Sequence, residues 1–360
     1  MQIGARKRRS GRSLSGRELL HARGERHRGG RAIRCDRIER PIFRWDIDKT
    51  YLATDFESIR GLIRILFEEA RDKVNVPGSA ALLRELQHGP FVWSQHNPIY
   101  FVSASPPQLR RVLIEKMRLD GIEPAGVSLK DNLRNIRQGR FSQIREQIGY
   151  KLIELLEGRT RFPLHARETL FGDDSESDAL IYALYTEIAA GRLSGVRLDE
   201  RLEAFGVSEE NRREIRRIKR RIVDIDPVER IYIHLTKKTP PEHFAQYAPR
   251  LVAVRNFFQA ALSLYQEGRI SFPGVVRVAR EMIEDFGFTP LDFVKSFAEL
   301  LERGVLAPRW LPLLSGPLIR NGVFPDHPGR HLPRFSLLEF FRREVDRKRR
   351  NRYREPFVFE

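Results

Sequence analysis

The sequence predicts an α/β protein: a parallel sheet flanked by helices, followed by a helical C-terminal region. Three observations lead there. Between residue 41 and about 190, short apolar runs alternate with stretches of helical periodicity, the pattern of β-α-β crossovers. The runs are bounded by turn-forming residues and end in polar ones. From about 243 onward the periodicity is helical alone.

Four runs read as strands: "IFRWDI", "PIYFVSA", "AGVSLKD" and "ETLFGDD". Between the first two, "SIRGLIRILFEEAR" places Ile59, Leu62, Ile63, Leu66 and Phe67 on one face, and "PGSAALLRELQ" comes next with Pro77 suited to a helix start. "PPQLRRVLIEKM" carries a stripe of Leu109, Val112, Leu113 and Met117. "FSQIREQIGYKLIELLEG" repeats Phe141, Ile144, Ile148, Leu152 and Leu155 before stopping at Gly158. "SDALIYALYTEIAAG" does the same with Leu180, Leu184 and Ile188 up to Gly191. Residues 191–229 read as a helical insertion, with two helices over 198–222, and "RIYIHL" at 230–235 as one more strand. Helices are then expected over 249–266, 273–286, 289–303 and 335–350, with a soft boundary near Pro240-Pro241. The organisation is thus a tail at 1–40, an α/β domain at 41–240 and a helical region at 241–360.

The net charge is +17 and unevenly placed, with 13 Lys/Arg against four acids in residues 1–40. That segment is rich in Arg, Gly and Ser and has too little apolar surface to offset its ordering entropy, so it reads as disordered: a solvated tail, or an arm for an anionic surface. No run reaches the ~18 uninterrupted apolar residues of a membrane span. The basic start has no apolar core behind it and does not read as a secretion signal. Cys35 stands alone, which excludes a disulfide framework and a Cys-based zinc site. The expected location is cytoplasmic, peripheral at most to a membrane.

In a parallel sheet the carboxyl ends of the strands share one edge, where ligands bind. Asp46-Ile47-Asp48-Lys49-Thr50 lies at the end of the first strand and Ser103-Ala104-Ser105-Pro106 at the end of the second. Gly172-Asp173-Asp174-Ser175 ends the fourth, with Asp178 four residues beyond Asp174, and the helix before it carries Lys151. These residue types suit phosphate chemistry. A carboxylate attacks phosphorus, and a second acid two positions on, facing the same side of an extended loop, moves the proton. Further carboxylates hold magnesium, which takes about six oxygens, and a lysine offsets the phosphate charge.

The order Asp-x-Asp-x-Thr, Ser, Lys, Gly-Asp-Asp-x-x-x-Asp resembles the haloacid-dehalogenase-like phosphatase superfamily. "WDIDKT", "VNVPGSAALLREL", "YFVSASPPQLRRVL", "LKD", "YKLIELL" and "FGDDSESDALIY" are similar to its actin-patch phosphatidate phosphatase branch, over roughly residues 42–190. The resemblance implies a Rossmannoid sheet, magnesium dependence and an aspartyl-phosphate route. Asp46 would be nucleophile and metal ligand. Asp48 would be general acid/base, giving its backbone carbonyl to the metal. Ser103 would bind the phosphoryl group and Lys151 neutralise it. Asp173 would complete the metal site with Asp174 or Asp178. Lys49 and Asp174 depart from the branch's pattern, which leaves the chemistry intact and the lipid substrate open. Lys130 in "SLKDN" competes with Lys151, and Asp174 and Asp178 also suit the start of the next helix. No large cap is apparent between Asp46 and Ser103; two helices fill that interval.

The remaining candidates are weaker. Pro328 and Gly329 interrupt the spacing of His327 and His331, and His234 reads as a strand residue. The basic helix 209–222 and the C-terminal "FSLLEFFRREVDRKRRNRYREP" read as amphipathic helices that pack on the body or face anionic lipid, and nothing but charge supports nucleic acid. The expected function is a magnesium-dependent phosphomonoesterase acting on a phosphorylated substrate, with a phospholipid such as phosphatidate leading. The competing reading is a silent phosphatase-like protein that binds anionic membrane or nucleic acid.

Overall fold

The computed structural model describes residues 40–53, 70–91, 96–130, 140–175, 177–237 and 239–330, with 332, 333, 339, 342, 343, 345, 357 and 359 beyond them. The basic tail before Arg40, all but the last two residues of the helix expected at 58–71, His331 and most of the helix expected at 335–350 lie outside the described residues, and Ala70–Asp72 form a short 3-10 helix.

Six parallel strands form one sheet: β1 (Ile42–Trp45), β2 (Ile99–Ser103), β3 (Gly126–Leu129), β4 (Glu168–Asp173), β5 (Val228–His234) and β6 (Leu251–Val254), in the order β3-β2-β1-β4-β5-β6. The direction of pairing reverses around β1, which puts the end of the first strand at the crevice where such sheets bind ligands. β1 and β4 are buried along their whole length, as expected of strands covered on both faces.

One face is covered by α1 (Ser79–His88), α2 (Arg110–Leu119), α7 (Phe257–Gln266), α8 (Phe272–Phe286), α9 (Pro290–Glu302) and α10 (Trp310–Arg320). Phe43, Trp45 and Ile47 point into this layer, and Trp45 stacks on Phe171 with ring centroids 4.1 Å apart. Phe171 stacks in turn on Tyr232 at 5.1 Å, so an aromatic row crosses β1, β4 and β5 in register. The other face is covered by α3 (Arg140–Arg161), α4 (Asp178–Ala189), α5 (Gly195–Ala204) and α6 (Glu209–Lys219). Arg44 and Glu168 form a buried ion pair there at 3.3 Å, and Arg159 reaches the same carboxylate at 3.3 Å. Tyr185 donates its hydroxyl to Glu168, and the Arg44 guanidinium also donates to Leu155 O. A buried charge is tolerated only when it is paired and hydrogen-bonded in this way.

The expected insertion at 191–229 contains α5 and α6, of which α6 packs on α3 and α5 on α6 before the chain re-enters the sheet as β5. Ser208 caps α6, accepting from Asn211 N. Its arginines are engaged with acids of the same chain: Arg212 with Glu203 and Glu209, Arg216 with Asp199, and Arg217 with Glu214 and Glu157. A phosphate on this face would compete with those carboxylates.

The helix expected over 249–266 is corrected. Leu251–Val254 is strand β6, and α7 begins only at Phe257. Asn256 causes the break, because its side chain caps α7 by accepting from Gln259 N at 3.1 Å. A short apolar run such as "LVAV" does not distinguish strand from helix by periodicity. The sheet therefore runs past the boundary expected near Pro240-Pro241. After β6 the described elements are helical. α9 starts with a capping box of Thr289 and Asp292, with Pro290 at its first position. α10 was not expected, because Pro312, Gly316 and Pro317 interrupt its pattern. Among the described residues no helix is long and apolar enough to cross a membrane.

Candidate active site

Asp46 continues the ladder of β1, its N–H bonded to Phe171 O at 2.9 Å, so the strand delivers its carboxylate to the sheet's carboxyl edge. The chain then turns sharply. Tyr51 N and Leu52 N both donate to Ile47 O, and Lys49 N donates to Leu52 O at 2.8 Å. Tyr51 anchors the turn from below by donating its hydroxyl to Asp120 at 2.5 Å.

Lys151, from α3, is buried among carboxylates. Its ammonium donates to Asp46 Oδ1 at 2.8 Å and to Asp178 Oδ1 at 2.6 Å. Of the two lysines left open by the sequence, this one meets Asp46; Lys130 lies with its ammonium 5.9 Å from the Tyr150 ring centre. Asp48 is oriented by two hydroxyls, Ser103 Oγ at 3.1 Å and Ser105 Oγ at 2.9 Å, both donating to Oδ2. Ser105 N donates in turn to Ser103 Oγ at 2.9 Å. Ser105 was not singled out in the sequence, although "SAS" two residues apart at a strand end places both hydroxyls on one side.

Asp173 ends β4, and its Oδ1 accepts from Ser175 N. Asp178, the first residue of α4, folds back so that Oδ2 accepts from Asp173 N at 3.4 Å. This fold requires glycine at 172, because a Cβ there would collide with the Asp178 carboxylate. Beneath it, Tyr182 donates to Phe171 O at 2.9 Å; burial first, and the Asp178 charge second, push that phenol well above its ordinary value, so it stays a donor.

The sequence left Asp174 and Asp178 as alternatives beside Asp173, and the structure separates them. Among the described residues, Asp46, Asp173 and Asp178 are buried and offer oxygens within 4.8 Å of one another. Asp174 faces the loop after β5, where it accepts from Thr236 N and Thr236 Oγ1, both at 2.7 Å, and from Thr239 Oγ1 at 2.6 Å. Burial alone would raise its pKa, but those hydrogen bonds outweigh burial and hold it below the usual carboxylate range. It thus clamps two loops together. His327 is exposed and far from this constellation in sequence, and His234 closes β5 with its ring against Lys49 O.

The donor set suits a hard divalent cation. It is made of oxygens only, on three close-set buried carboxylates, two of which share the Lys151 ammonium. Magnesium, with its preference for carboxylate oxygens and retained waters, fits such a set.

No curated protein and no solved structure matches the chain. A family model does. Residues 45–198 match the one described as phosphatidate phosphatase APP1, catalytic domain, an interval running from the residue before Asp46 to beyond Asp178. That segment is similar to the catalytic domain of the APP1 phosphatidate phosphatases, which supports a phosphatase.

Proposed function

We propose that the protein hydrolyses phosphomonoesters through an aspartyl-phosphate on Asp46, with a divalent cation, magnesium, held by Asp46, Asp173 and Asp178, and with phosphatidate or a related phospholipid as substrate. The observation that carries the reading is the pairing of a buried Asp46–Lys151 contact with Asp48, held two residues on by Ser103 and Ser105.

The Asp46 carboxylate attacks phosphorus while the bond to the leaving oxygen breaks. Asp48, protonated for this step, gives its proton to that oxygen. In the second step Asp48 takes a proton from water as the water attacks the aspartyl-phosphate, which frees phosphate and restores Asp46. Ser103 and Ser105 keep Asp48 in register for both transfers. Lys151 offsets charge between nucleophile and phosphoryl oxygens. The chemistry supplied by bound magnesium is neutralisation of the same charge and alignment of the phosphate.

The lipid assignment is supported by the description of the matching family. Phosphate release from an aryl phosphate and from phosphatidate in mixed micelles, with magnesium and then with chelator, tests it. Magnesium-dependent release lost in Asp46→Asn is the expected result, with phosphatidate preferred. Vesicle binding without turnover in any condition would favour a silent phosphatase-like protein instead.

A further inference from the structure

Lys49 lies between the two aspartates of the nucleophile loop and the rest of the turn and has φ 57°, in the left-handed region that a residue with a Cβ disfavours. Such a conformation persists where its surroundings over-determine it, and it concentrates at functional sites. Here both backbone groups of Lys49 are held. Its N–H donates to Leu52 O, which closes the loop. Its carbonyl meets His234 Nδ1 at 2.9 Å. A carbonyl only accepts, so Nδ1 carries the hydrogen.

His234 is itself well fixed. It is the last residue of β5, in register with Asp173 on one side and Val254 of β6 on the other. Its ring stacks on Phe257 at the start of α7, with centroids 5.3 Å apart. Its own carbonyl accepts from Asp174 N at 3.1 Å. The donor that meets Lys49 is therefore mounted on the rigid end of a neighbouring strand, 185 residues away in sequence.

We infer that His234 is a positioning residue for the phosphatase reaction: by holding the Lys49 carbonyl it keeps the left-handed turn that sets the Asp48 carboxyl against Ser103 and Ser105 and in reach of the Asp46 centre. The inference rests on the proposed roles of Asp46 and Asp48. Without the donor, Lys49 relaxes toward the ordinary right-handed or extended regions, and the residue before it moves with the chain. Proton transfer then suffers, while phosphate binding by the cation site and Lys151 does not.

The test is a cycle of variants in the full chain, read as kcat and KM for magnesium-dependent hydrolysis of an aryl phosphate, with melting temperature recorded alongside. His234→Phe keeps a ring against Phe257 and removes the donor. It is expected to lower kcat by about 10–100-fold with KM within about twofold. His234→Asn places an amide N–H where Nδ1 stood and is expected to keep kcat within about threefold of wild type. Lys49→Gly removes the steric objection to positive φ. Added to His234→Phe, it is expected to return about fivefold in kcat, the population gain from relieving one left-handed residue.

That rescue separates positioning from packing, since a residue needed only to fill space under Phe257 gains nothing from glycine at 49. An unimpaired His234→Phe, a loss confined to KM, or a double variant no better than His234→Phe overturns the inference. If His234→Phe is not recovered folded, His234→Ala against His234→Asn gives the same comparison. Wild-type protein that releases no phosphate overturns the functional reading and this inference with it. Wild-type turnover beside an unimpaired His234→Phe overturns the inference alone.

Discussion

Lys151 Nζ donates to Asp46 Oδ1 at 2.8 Å across 105 residues of sequence, and each side chain is about 1% exposed. The same ammonium reaches Asp178 at 2.6 Å, so one buried cation holds two carboxylates. Removing one member of a buried ion pair leaves its partners uncompensated, typically at a cost of about 3–5 kcal/mol.

Lys151→Met is therefore expected to destabilise the metal-free protein by about 3 kcal/mol and to lower kcat at least about 100-fold. Urea unfolding monitored by circular dichroism, together with phosphate release, checks both. A midpoint equal to wild type would mean that the ammonium does not hold the cluster. Lys151→Arg is not expected to restore activity, because the planar fork does not fit a point-charge position between two carboxylates.

Magnesium is expected to raise the melting temperature, since a ligand at a hundredfold excess over its dissociation constant stabilises by about 2.7 kcal/mol. Asp178→Asn should abolish that shift. Asp174→Asn should retain it while lowering the metal-free melting temperature, because the amide keeps one acceptor oxygen for the donors of Thr236 and Thr239 and puts an NH2 in place of the other. Differential scanning fluorimetry with and without magnesium separates the two acids. The reverse pattern would return the ligand role to Asp174.

At alkaline pH the buried tyrosines set the limit. Burial, then the Glu168 charge, raises Tyr185 well above its ordinary value; burial, then Glu267, does the same for Tyr232. A group whose folded pKa is raised contributes stability that is complete below its unfolded value, near 10, and is lost as pH rises above it. Phenolate absorbance at 295 nm from these two residues should thus appear together with loss of far-ultraviolet dichroism. Tyr185→Phe and Tyr232→Phe identify their share of the step. Ionisation in a protein that remains folded would contradict their burial.

Gly172→Ala should leave the sheet intact and disable the site, since the added Cβ displaces the Asp178 carboxylate. The expected outcome is a far-ultraviolet spectrum like that of wild type with the magnesium-induced melting shift gone. A shift of wild-type size would show that Asp178 is placed by something other than this close approach.

Much of this arrangement could be read from residue order. The parallel sheet was visible in alternating periodicity. Asp46, Asp48, Ser103 and Asp173 were visible at the strand ends, and Lys151 in the helix before the fourth strand, because strand ends and turns are local events. The parts that stayed hidden depend on partners distant in the chain. Asp174 and Asp178 have the same charge, and only Thr236 and Thr239, some sixty residues on, draw Asp174 away from the cluster. The imidazole of His234 looked like a strand residue, which it is, but its partner is a carbonyl, and carbonyls carry no sequence signature. β6 was hidden differently, since "LVAV" merges with the apolar pattern of α7 until the Asn256 cap is recognised.

The long separation between Lys49 and His234 also has a meaning in time. At about 5–20 residues per second of synthesis, the nucleophile turn leaves the ribosome on the order of ten seconds before the histidine that holds it. Lys151 and Asp178 arrive in between. On the inference that His234 holds that turn, the site is complete only late in synthesis.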